Sequence, residues 1–200
     1  MVRPDIVIGL VGVMLLVGAV AGASRPEIPP AEVRAFRAVN GLPDWLFWIF
    51  WAPMQLGNLV VGAAVGLVVA WAVGSWRVAI GVLAATVAKL VVERLVRKQV
   101  ASYLEVRQRP GTSQPGAHLR GADVPHQGPS FPSGHVILVA AVGTVLTNDL
   151  ALSVEWIPFA CAALVMLGRV YVGAHNPLDV VAGLGAGFTI GGIVSLLLFF

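Results

Sequence analysis

Residues 131–148 read FPSGHVILVAAVGTVLTN. Pro132 closes a loop, Ser133 suits the N-cap of a helix, and Val136 to Leu146 offers no charge to water. A helix apolar on every side belongs in a large core or a bilayer. Yet His135 stands in its first turn, where a helix presents unpaired N–H groups and partial positive charge. The stretch therefore predicts a buried or membrane helix with a polar reactive end.

The rest of the chain decides between core and bilayer. Of its 200 residues 58% are apolar and only 12% charged, with a mean hydropathy of +0.86. A soluble domain carries about 25% charged residues. A soluble core of this size does not hide so much apolar surface, whereas a bilayer accepts it. The net charge of +3 comes without a basic run, which argues against nucleic acid as a partner. Cys161 is the only cysteine, which excludes an intrachain disulfide and a cysteine metal cluster; an inert buried thiol is expected. Eleven Arg against two Lys, with abundant Ala, Val and Gly, suggests a GC-rich bacterial genome.

A helix needs about 20 apolar residues to cross a bilayer. Working outward, six runs approach this: Ile6–Ala23, Trp45–Trp76, Val78 to about Val96, Gly134–Asn148, Trp156 to about Tyr171, and Leu178–Phe200. The fold expected is an all-α polytopic membrane bundle of about six transmembrane helices, forming a single domain over residues 1–200. The first run has an alternative as a cleaved signal peptide, since Arg3 precedes it and Ala21-Gly22-Ala23 resembles a cleavage site; a retained span is preferred. Ala31–Asn40 reads as a short surface helix with Val33, Phe36 and Val39 on one side. Trp45, Trp48 and Trp51 read as an interfacial belt, and Pro53 as the kink or start of the second span. Residues 98–131 form a long polar loop rich in Gly and Pro, a length that marks function or disorder.

Span parity brings chemistry together. The long loop follows the third span and the loop Gly173–Asn176 follows the fifth, so both lie on one side, with the starts of the fourth and sixth spans. Lys98, Arg107, Arg109 and Arg120 would draw that side to the cytoplasm, whereas Arg3 and Arg77 favour the opposite orientation. If the loop cations serve phosphate, the long loop lies outside, the orientation preferred here.

Three clusters share this side. Arg107-Gln108-Arg109-Pro110 supplies guanidinium forks that match phosphate oxygens. Pro132-Ser133-Gly134-His135 sets a histidine beside an anion-binding helix start. Arg169, His175 and Asp179 follow at intervals of six and four, with Asn176 and Pro177 as a helix start between the last two. There Asp179 can orient the His175 ring, whose free nitrogen can attack phosphorus. Each cluster also has a plain reading: a helix cap, a snorkelling arginine, a basic loop binding headgroups.

The joint pattern resembles the type 2 phosphatidic acid phosphatase superfamily of lipid phosphatases, acid phosphatases and vanadium haloperoxidases. Its motifs are K-x6-R-P, P-S-G-H and S-R-x5-H-x3-D. The second stands intact at Pro132–His135, and the third at Arg169–Asp179 with Gly168 in place of its serine. The first keeps Arg109-Pro110 but has Ser102 at the lysine position; Lys89 and Arg97 are the substitutes, although Lys89 also stands at ion-pairing distance along a helix from Glu93.

The resemblance implies a phosphohistidine at His175, oriented by Asp179, with His135 as acid and then base. It implies phosphate held by Lys89, Arg97, Arg109, Ser133, Gly134 and Arg169, with no metal or cofactor. The partners implied are a lipid phosphate or polyprenyl (pyro)phosphate substrate and the surrounding membrane lipids. The place expected is a bacterial inner membrane, with the site on the extracytoplasmic side. The competing reading is an inactive phospholipid-binding descendant, favoured by Ser102 and Gly168. His118 and His126 read as exposed loop residues.

Overall fold

Proline and asparagine punctuate the apolar runs, and helices begin beside them. The computed structural model describes residues 4–25, 27–100 and 107–200, with 96–100 as backbone only. Its helices are α1 (Pro4–Ala23), α2 (Pro30–Asn40), α3 (Phe47–Met54), α4 (Leu59–Ala72), α5 (Trp76–Val100), α6 (Pro110–Ser113), α7 (Gly134–Leu146), α8 (Ile157–Tyr171) and α9 (Pro177–Leu198). Among the described residues there is no strand, only an isolated bridge between Gln108 and Pro129. The protein is an all-α membrane helix bundle, as its apolarity predicts. By length and apolarity α1 and α9 qualify as spans on their own, and the bent pair Asp44–Gly57 and Leu59–Ala72 adds a third. The helices α7 and α8 are apolar but shorter than a full crossing.

The opening stretch lies at the centre. Every residue of α7 from Val136 to Leu146 is buried. Its neighbour α9 approaches closely because of glycine. A Cβ on Gly187 would sit 2.5 Å from the Ala140 Cβ, and one on Gly191 would sit 2.5 Å from the Thr144 Cβ. On another face of α9, a Cβ on Gly185 would stand 2.7 Å from the Gly12 carbonyl of α1. Small residues at four-residue spacing allow such backbone approach in membranes, where packing rather than water drives association.

Two expectations need correction. The second apolar run breaks not at Pro53, which lies inside α3, but at Asn58, with a bend of 77°. Asn58 starts a new helix: its Oδ1 accepts the Val60 and Val61 N–H groups at 3.0 and 3.4 Å. An N-cap oxygen satisfies donors that a fresh helix start would otherwise strand. The second correction is α2. Phe36 is buried as expected, but the rest of the buried stripe is Glu32 and Asn40. This face packs on protein. Asn40 Nδ2 donates to the His118 and Tyr171 carbonyls at 2.8 and 2.9 Å.

The long loop is tied down where it is described. Ser130 N–H donates to Arg107 O at 3.3 Å, and Arg109 N–H to Gly128 O at 3.0 Å. Arg120 clamps the loop to its surroundings, donating to the Asn40 and Tyr171 carbonyls at 2.7 and 2.9 Å and to Asp44 at 2.8 Å.

Candidate active site

Both histidine-bearing helix starts meet. Ser133 N–H donates to the Asp179 carbonyl at 3.0 Å, fastening the start of α7 to the start of α9. Beside this tie lies a cavity of about 330 Å³. His135, His175, Lys89, Arg109, Arg169 and Gly134 all line it. Residues from three clusters far apart in sequence thus share one chamber.

His175 is buried, in the short loop between α8 and α9. The Arg169 carbonyl accepts the His175 N–H at 3.2 Å and the Ala174 N–H at 3.0 Å, so the end of α8 shapes this loop. The Nδ1 of His175 stands 3.7 Å from Asp179 Oδ2, near contact rather than a hydrogen bond. Burial pushes the His175 imidazole below its ordinary range; Asp179 opposes this, and the Arg169 and Arg109 charges add to it. A neutral imidazole is the nucleophilic form.

Asp179 is fully buried, and each of its carboxylate oxygens is held. Its Oδ2 accepts the Asn176 N–H at 2.8 Å, the return half of a capping box. Its Oδ1 accepts from Arg107 Nε at 2.7 Å. The sequence pattern counts Arg107 among the guanidinium forks for phosphate, and the structure corrects this. Arg107 does not line the cavity; it stands behind Asp179, and its Nη2 donates to Glu32 of α2.

The remaining expected residues divide. Arg109 lines the cavity and donates from Nη1 to Ala174 O at 2.9 Å. Arg169 is buried and lines the cavity, its Nε without a hydrogen-bond partner. Lys89 both lines the cavity and pairs with Glu93 at 2.5 Å. Ser133 occupies the N-cap position, but its hydroxyl makes no cap bond; it is buried without a partner and is not a lining residue. The side chain of Arg97 and all of Ser102 lie outside the described residues. His118 and His126 are exposed, and neither lines the cavity.

The sequence pattern left out several residues. Glu93 and Asp123 bring carboxylates to the cavity wall. Gly57, just before the bend, faces His135: a Cβ there would fall 2.6 Å from the His135 Cβ. Gly168, the departure from the third motif, faces away from the cavity. A Cβ there would lie 2.8 Å from Met54 Cγ and 3.3 Å from Phe50 Cβ, so α3 occupies the space a serine would need.

This arrangement offers a phosphate three cations and a helix N-terminus, with two imidazoles lining the same cavity. Comparison with known proteins agrees. The chain is similar to the crystal structure of Aquifex aeolicus LpxE, with a TM-score of 0.68 and 26% identity over 82% of this chain and 93% of that one. It is also similar in fold to a transmembrane PAP2 type phosphatidylglycerolphosphate phosphatase from Bacillus subtilis, with a TM-score of 0.66 and 22% identity over 96% of this chain and 94% of that one. No curated protein sequence matches it. The PAP2 superfamily model matches residues 78–200, which hold α5, the loop and all of α7 to α9. The chain is a member of the PAP2 superfamily.

Proposed function

We propose that this membrane protein hydrolyses a lipid phosphate monoester through a phosphohistidine intermediate on His175. The observation that carries the reading is the facing of His175 and His135 across one cavity lined by Lys89, Arg109 and Arg169. In the first step the free ring nitrogen of His175 attacks phosphorus, and the bond from phosphorus to the lipid oxygen breaks. His135 donates its proton to that oxygen, and the lipid alcohol leaves. In the second step His135 takes a proton from water, which attacks the phosphohistidine and releases inorganic phosphate. The three cations and the N–H groups opening α7 stabilise charge on the equatorial oxygens in both steps. Asp179 stabilises the positive charge that His175 acquires on phosphorylation.

The lipid class follows from the surroundings. The cavity wall includes residues of the bundle helices α4, α5, α7 and α8, so a phosphate whose tail stays in the bilayer between helices suits it better than a soluble one. Phosphatidic acid, phosphatidylglycerophosphate and polyprenyl phosphates all fit this chemistry, as do polyprenyl pyrophosphates with the lipid phosphate as leaving group in place of the alcohol, and the similarity to LpxE and to a phosphatidylglycerolphosphate phosphatase supports the class. Gly168 weakens the reading as an inactive binder, because its lost serine is accounted for by α3 packing. A bacterial inner membrane with the site on the outer face suits the sequence positions of Arg3 and Arg77, which span parity assigns to the side opposite the long loop.

Purified protein in detergent, offered a panel of these lipids, should release phosphate from at least one. His175→Ala should abolish that release. No turnover on any lipid, or wild-type turnover in the variant, rejects the proposal.

A further inference from the structure

A buried carboxylate outside the three motifs touches the catalytic machinery. Glu32 lies on α2, whose other side faces away from the bundle, yet Glu32 itself is only 6% exposed. Its Oε1 accepts from Arg107 Nη2 and from the Leu178 N–H, the latter at 2.8 Å. Leu178 is the second residue of α9, so Glu32 supplies a cap from a different helix to a donor that has no partner within α9. Its Oε2 is buried with no hydrogen-bond partner.

Capping alone does not account for this residue. A neutral amide would cap Leu178 equally well and would not leave a charged oxygen unsatisfied in the interior. A buried carboxylate–guanidinium pair is also a poor source of net stability, since desolvation offsets its attraction. The charge therefore calls for another explanation, and Arg107 offers one. Arg107 bonds Asp179 directly through Nε at 2.7 Å. Left alone, its positive charge would cancel the field that Asp179 exerts on the His175 ring. Glu32 binds the other arm of the same guanidinium and cancels it instead. Glu32, Arg107 and Asp179 together keep one net negative charge behind the nucleophile.

We infer that Glu32 is a positioning residue for this site: through Arg107 it fixes the Asp179 carboxylate and preserves its negative charge toward His175, so that the imidazole can become cationic as it takes the phosphoryl group. The inference rests on the phosphohistidine reading above. The titratable and charged groups around His175 are Asp179 from α9, Arg169 from α8, Arg109 from the loop and His135 from α7, with Lys89, Glu93 and Asp123 elsewhere on the cavity wall and Arg107 and Glu32 behind Asp179. Asp179 and Glu32 are the anions in the bonded set behind the ring, so removing either makes a cationic His175 harder to form.

The test uses full-length protein in detergent and a short-chain phosphatidic acid, or whichever lipid of the panel turns over. Glu32→Gln keeps the oxygen that caps Leu178 and loses only the charge. Its kcat should fall about 10- to 100-fold, the size of effect that loss of an outer hydrogen-bond partner has on a metal-bound histidine. KM should hold, thermal unfolding should stay near wild type, and the acid limb of kcat/KM should move to lower pH. Glu32→Asp, which restores the charge, should recover most of kcat. Wild-type kcat in Glu32→Gln overturns the inference, as does a loss of kcat with an unmoved acid limb. So does a Glu32→Gln protein that fails to fold, since the charge would then serve the fold. If the wild type itself releases no phosphate, the phosphatase reading falls and this inference with it; an unaffected variant beside an active wild type rejects Glu32 alone.

Discussion

Replacing Gly57 with alanine should damage catalysis more than folding. Gly57 closes the turn before the 77° bend, against the first turn of α7. A methyl group there would lie 2.6 Å from the His135 Cβ, 2.7 Å from its Cδ2 and 2.9 Å from its Cγ. Ordinary contacts begin near 3.4 Å, so one partner must yield by most of an ångström. The Cβ of His135 is fixed to the α7 backbone, and α7 is buried from Val136 to Leu146, so a rotamer change alone does not relieve the clash. Overpacking of this kind costs about 1–3 kcal/mol of stability. The catalytic cost is larger, because a misplacement of about 1 Å in a reacting group can cost about 100-fold in rate. Phosphate release measured beside thermal unfolding separates the two. A folded Gly57→Ala protein with wild-type kcat would refute the placement of His135 as the acid.

Other perturbations test neighbouring parts of the argument. Arg107→Ala would strand two buried carboxylates and should destabilise the protein by about 3–5 kcal/mol, read as a lowered unfolding temperature in detergent; an unchanged melt would remove Arg107 from the core of the site. Gly168→Ser restores the family's serine but meets Met54 and Phe50, so it should cost about 1–3 kcal/mol in the same melt. A variant as stable as wild type would show that α3 does not exclude the serine. Because burial depresses the His175 pKa below 6.5, the neutral nucleophile should persist below that pH and the acid limb of kcat/KM should fall there. The same shift means that the unfolded chain binds this proton more readily. The stability linked to His175 is therefore intact above about pH 6.5 and is lost as pH falls. An acid limb at or above 6.5 contradicts the buried, neutral His175.

How far the sequence was legible follows from which interactions are local. The helix starts at Pro132-Ser133 and Asn176-Pro177 are short-range signals, and both held. The spacing of His175 and Asp179 is one helical turn, so their proximity follows from the chain alone. Their meeting with His135 required only the parity of spans. What escaped depends on docking between distant segments. Glu32 and Arg107 are 75 residues apart, and nothing local links a glutamate on α2 to the surroundings of Asp179. The capping asparagine at 58 competed with Pro53 for the break and prevailed, because it satisfies donors where proline merely lacks one. Ser133 held its cap position but not its cap bond, for it is packed against α9, where a Cβ on Gly183 would stand 2.7 Å from the Ser133 carbonyl.

The glycine faces of α9 bear on when the enzyme comes into being. Segments leave the ribosome in order, and α1, α5 and α7 all precede α9. Until α9 arrives, the start of α7 has no Asp179 carbonyl to hold it, and α1 lacks the surface at Gly185 that it packs against. A nascent chain in the bilayer can therefore own every earlier motif and still be inert toward the lipids around it. Docking of α9 holds the start of α7 and seats α1 in one event.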